Sequence, residues 1–230
     1  MEPPRAQSSR CRRSTFSAVN RSTGKTTWSG TELGRFLESV RDDRLAACWR
    51  FLAVTGCRRG EALGLRWRDL DLDAGRAIIV QTVVGSRAIS ETKTDRGRRT
   101  IALDDTTIAA LREHRRAQNA ERLLMRTAYE DHDLVFCRED GTPIWPRSLT
   151  RAFARIVNTA NLPQIRLHDL RHTHATLALQ AGVHPKVVQE RLGHATISIT
   201  LDVYSHAIPA MQEDAAARVA DLVSPSLESD

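Results

Sequence analysis

Residues 168–204 read HDLRHTHATLALQAGVHPKVVQERLGHATISITLDVY, and this stretch decides how the rest of the chain is interpreted. His168 and Arg171 lie three residues apart, so a helix that begins here places both side chains on one face. His194 follows a Leu-Gly turn, and Tyr204 comes ten residues after it. Histidine titrates near neutral pH and can act as a base or as a hydrogen-bond donor. Each of these histidines, taken alone, would more often be structural.

Arg58, within TGCRRGE, adds a second arginine to this set. A guanidinium group donates two parallel hydrogen bonds and keeps its charge, so Arg58 and Arg171 are suited to clamp the non-bridging oxygens of a phosphodiester. Electrostatic stabilisation of this kind is usually the largest contribution to catalysis. Glu61, three residues after Arg58, is expected to support that arginine through an ion pair. A randomly chosen arginine of this chain would more often form a surface ion pair, and the prediction therefore depends on the surrounding motifs.

Two further side chains are candidates for proton and nucleophile chemistry. The chain has two tyrosines, and Tyr204 is predicted as the nucleophile because Tyr129 lies in a polar segment without a motif. A phenol has a pKa of about 10, so its attack requires positive charge or a base nearby. Lys93 falls in a turn between predicted strands and can release a proton to a leaving 5′ oxygen, as arginine cannot. A half-buried helix tyrosine and an exposed hairpin lysine are the structural alternatives.

The bulk composition indicates a soluble globular protein with 41% hydrophobic and 27% charged residues. No apolar run is long enough to span a membrane, and the N-terminus lacks the apolar region of a secretory signal. The four cysteines form no CxxC pair, which favours a reducing cytoplasm. A net charge of +6 suits a polyanion such as DNA, although a solvated basic surface would have the same charge.

Apolar periodicity predicts a mainly α-helical fold with one small antiparallel β-sheet, in the α+β class. A capping pattern at Ser29 begins the first helix, and the segment 76–102 alternates as two or three strands would. The sequence further predicts a long helix over 105–125. Residues 1–27 show no apolar period and are interpreted as a flexible basic arm or linker remnant.

In chain order these residues resemble the catalytic domain of the tyrosine recombinases, the phage integrase family. The matching positions are the first arginine (Arg58), the β-hairpin lysine (Lys93), the HxxR pair (His168 and Arg171), the LGH histidine (His194) and the nucleophile (Tyr204). The resemblance implies a catalytic domain over 28–209. It also implies a C-terminal helix with an acidic tail over 210–230, which would dock on a neighbouring protomer.

The resemblance implies a site-specific DNA recombinase or integrase. In that family the tyrosine attacks the scissile phosphate and forms a 3′-phosphotyrosyl link, which the 5′ hydroxyl of another strand then attacks. No metal, cofactor or nucleotide is required. The implied partners are double-stranded DNA, further copies of the chain in a tetramer on DNA, and an accessory DNA-bending factor. The implied location is the cytoplasm, with association to the nucleoid when DNA is bound.

Three other interpretations remain open from the sequence. Family members carry a helical core-binding domain ahead of the catalytic domain, and about 27 residues are too few for one. We therefore also consider a truncated, weakly active or inactive remnant that binds DNA or a full-length partner. A type IB topoisomerase uses similar chemistry, but the match through RLGHATISITLDVYSH favours a recombinase. In a metalloenzyme His168 and His172 would be ligands, but the HExxH motif requires Glu where Asp169 stands.

Overall fold

The computed structural model describes residues 27–85, 88–91 and 98–198, with 88–91 described through their backbone. Helices dominate these ranges, and they comprise α1 (Gly30–Ser39), α2 (Ala46–Thr55), α3 (Arg59–Leu63), α4 (Asp105–Met125), α5 (Pro146–Thr159), α6 (Asp169–Gln180) and α7 (Pro185–Leu192). The strands are β1 (Leu70–Asp71), β2 (Arg76–Ile79), β3 (Gln81–Val84), β4 (Ala88–Glu91) and β5 (Arg99–Ala102). The fold class predicted from the sequence, mainly α with small antiparallel β structure, is confirmed.

The strands form two small antiparallel sheets where the sequence predicted one. One sheet has the order β1-β2-β5, and β3 pairs with β4 in the other. In the first sheet Ala77 lies opposite Ile101, and Ile79 lies opposite Arg99. Side chains alternate between the faces of a strand, so Arg99 lies on the same face of β5 as the buried Ile101. This register directs an arginine toward the protein interior.

Local capping explains where the helices begin and end. The Ser29 hydroxyl accepts from the Glu32 backbone N–H at 3.3 Å, and the Glu32 carboxylate accepts from the Ser29 N–H at 2.7 Å. This reciprocal pair is the capping box that the sequence predicted at the start of α1. Gly56 ends α2 with a φ of +65°, a backbone conformation that costs glycine little because it has no Cβ.

Helix α3 is short and begins directly after Arg58. The Glu61 carboxylate accepts from the backbone N–H of Arg58 at 2.8 Å, and this bond satisfies a donor that the first turn leaves free. The same side chain therefore starts the helix and ties it to Arg58. The predicted helices around Tyr204 and over 211–223 lie outside the described residues.

A cluster of aromatic side chains holds α1, α2 and α5 together. Trp28, Phe36, Trp49 and Phe153 are buried, with ring centroids between 5.3 and 6.2 Å apart. Trp28 also donates its backbone N–H to the Thr173 hydroxyl at 3.1 Å. Thr173 belongs to α6, so this hydrogen bond connects the helix that carries Arg171 to the beginning of the fold.

The close packing of Gly56 against α6 and α7 gives a first prediction. A Cβ at Gly56 would lie 2.5 Å from Leu192 Cδ2 and 2.8 Å from His174 Cδ2, whereas a Cβ at Gly182 would meet nothing within 4 Å. Both glycines have positive φ, so each change to alanine should lower the free energy of unfolding by about 1 to 2 kcal/mol through backbone strain. Gly56→Ala should lose about 1 to 3 kcal/mol more through overpacking.

Urea denaturation of both variants measures this difference, since Gly182→Ala is the matched control for backbone strain. Equal losses in the two variants would contradict the packing described for Gly56.

Candidate active site

The C-terminus of α7 is the point at which the candidate residues meet. Gly193 ends the helix with a φ of +68°, and the last carbonyl groups of a helix have no partner within it. Three guanidinium groups donate to three consecutive carbonyl oxygens: Arg99 Nε to Arg191 at 2.9 Å, Arg171 Nη2 to Leu192 at 2.8 Å, and Arg58 Nη2 to Gly193 at 3.3 Å. Cations are favoured at this end of a helix because its dipole is negative there.

Arg171 and Glu61 are the most enclosed of the predicted site residues that the structure describes. Arg171 lies in the first turn of α6 and is 4% exposed. Its Nη1 donates to the Gly56 carbonyl at 2.8 Å, so one guanidinium bridges the C-terminal ends of α2 and α7. Burial and the neighbouring charge of Arg58 lower the pKa of Arg171 to about 10. The side chain is therefore still cationic at neutral pH, in surroundings that disfavour the charge.

Glu61 is the carboxylate that compensates part of this positive charge. It is 4% exposed, and Oε1 accepts from Arg58 Nη1 at 2.8 Å. Arg99 approaches the same carboxylate with two groups, Nη1 at 3.1 Å from Oε1 and Nη2 at 2.7 Å from Oε2. Burial alone would raise the pKa of Glu61, but the hydrogen bonds from Arg99 and Arg58 outweigh burial and hold that pKa below its usual value. Glu61 is thus ionised and in contact with Arg58, as the sequence predicted for its supporting role.

His168 precedes Arg171 and His194 follows it in the sequence, and both histidines have lowered pKa values. His168 precedes α6 and is exposed to solvent on part of its surface. Desolvation of the rest of the ring, then the nearby His172 and Arg171, lower its pKa. His194 follows Gly193, with its N–H donating to the Gln189 carbonyl at 3.1 Å. Burial, then Arg171 and Arg58, lower the pKa of His194 to about 4. The imidazole of His194 is therefore neutral at pH 7.

The structure brings four of the predicted residues to one place: Arg58, Glu61, Arg171 and His194. His168 lies close enough to this group for the charge of Arg171 to lower its pKa. Lys93 and Tyr204 lie outside the described residues, so their roles stay predictions. Arg99 belongs to the cluster and was missed by the sequence analysis. Its alternation with Ile101 along RRTIAL places both residues on one face of a strand, but the burial of that face depends on long-range packing that the sequence pattern does not specify.

Two further findings concern other classes of site. Within 27–85, 88–91 and 98–198 no group of three or more His, Cys, Asp or Glu side chains is placed to hold a metal ion. His168 and His172, the pair considered as metal ligands, lie edge to face with ring centroids 5.4 Å apart. In the part of the chain that the structure describes, none of the helices combines the length and the apolar character needed to cross a membrane.

Solved structures of DNA recombinases and integrases share the fold of this chain. The Tn1549 transposon integrase bound to transposon right end DNA has the same fold, with a TM-score of 0.74 and 23% identity over 88% of this chain and 69% of that one. The XerH site-specific recombinase in a pre-cleavage complex with its difH substrate is 30% identical, with a TM-score of 0.61 over 84% of this chain and 52% of that one. The architecture is that of a tyrosine recombinase catalytic domain.

The sequence comparisons assign the family. The model of the phage integrase family matches residues 31–211. A curated relative, the XerC-like tyrosine recombinase of Caldanaerobacter subterraneus subsp. tengcongensis, is 32% identical over 85% of this chain and 54% of its own. The chain belongs to the phage integrase family. It spans about half the length of the curated relatives it matches.

The lowered histidine pKa values predict how stability depends on pH. His174 is partly buried on α6, and its buried Nε2 has no hydrogen-bond partner among the described residues. Burial and the charge of Arg191 lower its pKa to about 4. The same group in the unfolded chain takes up a proton near pH 6.5. The free energy of unfolding should therefore fall as the pH drops from about 6.5 toward 4, because the unfolded state binds protons that the folded state excludes.

Urea denaturation between pH 7.5 and 4.5 measures this slope. The pKa of Glu61 is lowered in the fold, so its contribution to the free energy of unfolding is lost only below about pH 4.5. The slope between pH 7.5 and 4.5 therefore reports on the histidines. The variant His174→Asn keeps a side-chain donor without the titrating ring, and its slope should be smaller than that of the parent. A slope unchanged by His174→Asn would contradict the assignment to this residue.

Proposed function

We propose that the chain is the catalytic part of a site-specific DNA recombinase or integrase, which cuts and rejoins DNA strands through Tyr204. The observation that carries the proposal is the convergence of Arg58, Arg99 and Arg171 on the end of α7, beside His194. The sequence places Tyr204 ten residues after that histidine. Family membership and the likeness to recombinases solved with DNA support the same activity.

The charge balance of the cluster favours an anionic ligand. Arg58 and Arg99 share the Glu61 carboxylate, while Arg171 donates to backbone carbonyls, so three guanidinium groups and one carboxylate leave an excess of positive charge at a largely buried place. Unpaired buried charge is unfavourable, and the lowered pKa of Arg171 reflects this. Arg58 connects the cluster to solvent, because its side chain is 46% exposed while its partner Glu61 is buried. A phosphodiester oxygen that binds here would neutralise charge that the protein leaves uncompensated.

In the proposed reaction Arg58 and Arg171 hold the non-bridging oxygens of the scissile phosphate. His168 accepts the phenolic proton of Tyr204 as the Tyr204 oxygen forms a bond to phosphorus, and the bond from phosphorus to the 5′ oxygen breaks. Lys93 gives its proton to that leaving oxygen. His168 and His194 accept or donate hydrogen bonds at the phosphate, as their neutral rings allow at pH 7. A 5′ hydroxyl then attacks the phosphotyrosyl bond, so the reaction requires no metal ion and no nucleotide.

The proposed partners follow from the proposed reaction. The substrate is double-stranded DNA, and strand exchange between two sites requires further copies of the chain, in a tetramer. An accessory DNA-bending factor and association with the nucleoid belong to the same proposal. In the proposed organisation residues 1–27 form a basic arm, 28–209 the catalytic domain, and 210–230 a C-terminal helix and tail that dock on a neighbouring protomer.

Covalent trapping on nicked duplexes tests the proposed nucleophile. The duplexes are tiled across the DNA that flanks the gene, and a nick next to the scissile phosphate lets the cleaved strand diffuse away. The parent chain should form a protein–DNA adduct that resists denaturant. Tyr204→Phe should form none while its DNA affinity stays within about twofold, because the phenolic oxygen is the attacking group and not a phosphate ligand.

Tyr129→Phe is the matched control, since Tyr129 is the other tyrosine and its hydroxyl lies 3.7 Å from the Cys137 sulfur, away from the cluster. It should form the adduct at the parent's rate. An adduct that survives Tyr204→Phe would contradict the assignment of the nucleophile. If the parent binds DNA with strong salt dependence but forms no adduct, the DNA-binding remnant is the correct interpretation.

A further inference from the structure

Arg99 is a charged side chain enclosed at the centre of the arginine cluster, and the proposed reaction does not use it. Its side chain is 8% exposed, on the face of β5 that also carries the buried Ile101. The guanidinium contacts both oxygens of Glu61, the carbonyl of Arg191 and, at 3.9 Å, the sulfur of Cys57. An arginine in these surroundings has no direct path to a DNA backbone.

We propose that Arg99 is a positioning residue: it holds Glu61 so that Arg58 makes a single side-chain contact with that carboxylate and keeps its other terminal nitrogen on α7. This inference rests on the proposed function, because it assigns Arg58 the task of binding the scissile phosphate.

Hydrogen bonds from Arg58 and Arg99 occupy both oxygens of the Glu61 carboxylate. Oε1 accepts from Arg58 Nη1 at 2.8 Å and from Arg99 Nη1 at 3.1 Å. Oε2 accepts from the backbone N–H of Arg58 at 2.8 Å and from Arg99 Nη2 at 2.7 Å. Each oxygen therefore already has two donors, and Arg58 cannot form the bidentate pair that guanidinium and carboxylate groups prefer. Its Nη2 is left to donate to the Gly193 carbonyl at 3.3 Å.

The loss of Arg99 would leave the Glu61 carboxylate with two donors fewer. A carboxylate that is 4% exposed and has lost two of its donors requires replacements, because an unpaired buried charge is costly. Arg58 already donates to Oε1 of Glu61, and it would supply a replacement by rotating its second nitrogen onto the same carboxylate. That rotation withdraws Arg58 from Gly193, and so from the place where the proposed phosphate binds.

Arg99 also contacts the end of α7. Its Nε donates to the Arg191 carbonyl, and a Cβ at Gly193 would lie 3.1 Å from both Cδ and Nη1 of Arg99. Arg99 is therefore packed between Glu61 and the turn that leads to His194. It sets the distance between the part of the site on α3 and the part on α7.

Single-turnover adduct formation with the full chain and saturating nicked DNA tests the proposal. Arg99→Lys keeps the charge but cannot reach both Glu61 oxygens and the Arg191 carbonyl together. Its rate should fall about 10- to 100-fold, since a displacement near 1 Å at a reacting centre has effects of this size. Its dissociation constant for DNA should change less than about threefold. The control Arg98→Lys alters the exposed neighbour and should react like the parent.

A double-mutant comparison separates positioning from a merely structural role. If Arg99 acts through Arg58, then Arg99→Lys added to Arg58→Lys should slow the reaction less than about threefold further. Glu61→Gln keeps the shape of the side chain. Added to Arg58→Lys, it should likewise slow the reaction less than about threefold further. An equal fold-loss in both backgrounds would overturn the proposal.

A readout without catalysis distinguishes this inference from the proposed function. The Nε–Hε signal of Arg58 in ¹⁵N NMR is identified by its absence from Arg58→Lys. It should shift in Arg99→Lys and in Glu61→Gln, and it should stay in place in Arg98→Lys. No adduct from the parent chain would overturn the proposed function, and the NMR result would then decide the positioning role by itself. An Arg58 signal that does not move in Arg99→Lys overturns that role.

Discussion

Hydrogen bonds from three guanidinium groups to the last carbonyls of α7 organise the site. These carbonyls are available because Gly193 turns the chain out of the helix with a positive φ, and the donors come from β5, α6 and the residue before α3. Segments distant in the sequence thus meet at one helix end. Because a helix end offers fixed acceptors, the arginine side chains lose their rotational freedom during folding, and in the proposed reaction they would require no reordering to bind the phosphate.

The same arrangement creates an electrostatic difficulty that Glu61 partly solves. Burial, and after it the repulsion between guanidinium groups held this close, lower the pKa of Arg171 to about 10. Glu61 remains ionised because Arg99 and Arg58 both donate to it. Burial and the remaining positive charge together keep His194 neutral. Uncompensated charge lowers the stability of the ligand-free protein. An anion that binds at the cluster would raise that stability again.

The sequence predicted the helical framework well wherever a local signal specified it, as with the capping box at Ser29 and the turn at Gly56. Arg58 and Arg171 were identifiable because each lies in a longer motif. Arg99 was not, since its role depends on the pairing of β5 with β2 and on the packing of α7, which no local pattern specifies. The division of the strands between two sheets is a long-range property of the same kind.

We propose that the arginine cluster neutralises the charge of the scissile phosphate. A methylphosphonate at that position removes the charge of one non-bridging oxygen and is therefore the most direct test. The measurement is the rate of adduct formation by Arg171→Ala relative to the parent, on both substrates. We predict that the deficit of Arg171→Ala shrinks at least about tenfold on the methylphosphonate. The exposed control Arg41→Ala should show no such change. An equal deficit of Arg171→Ala on both substrates would contradict the account.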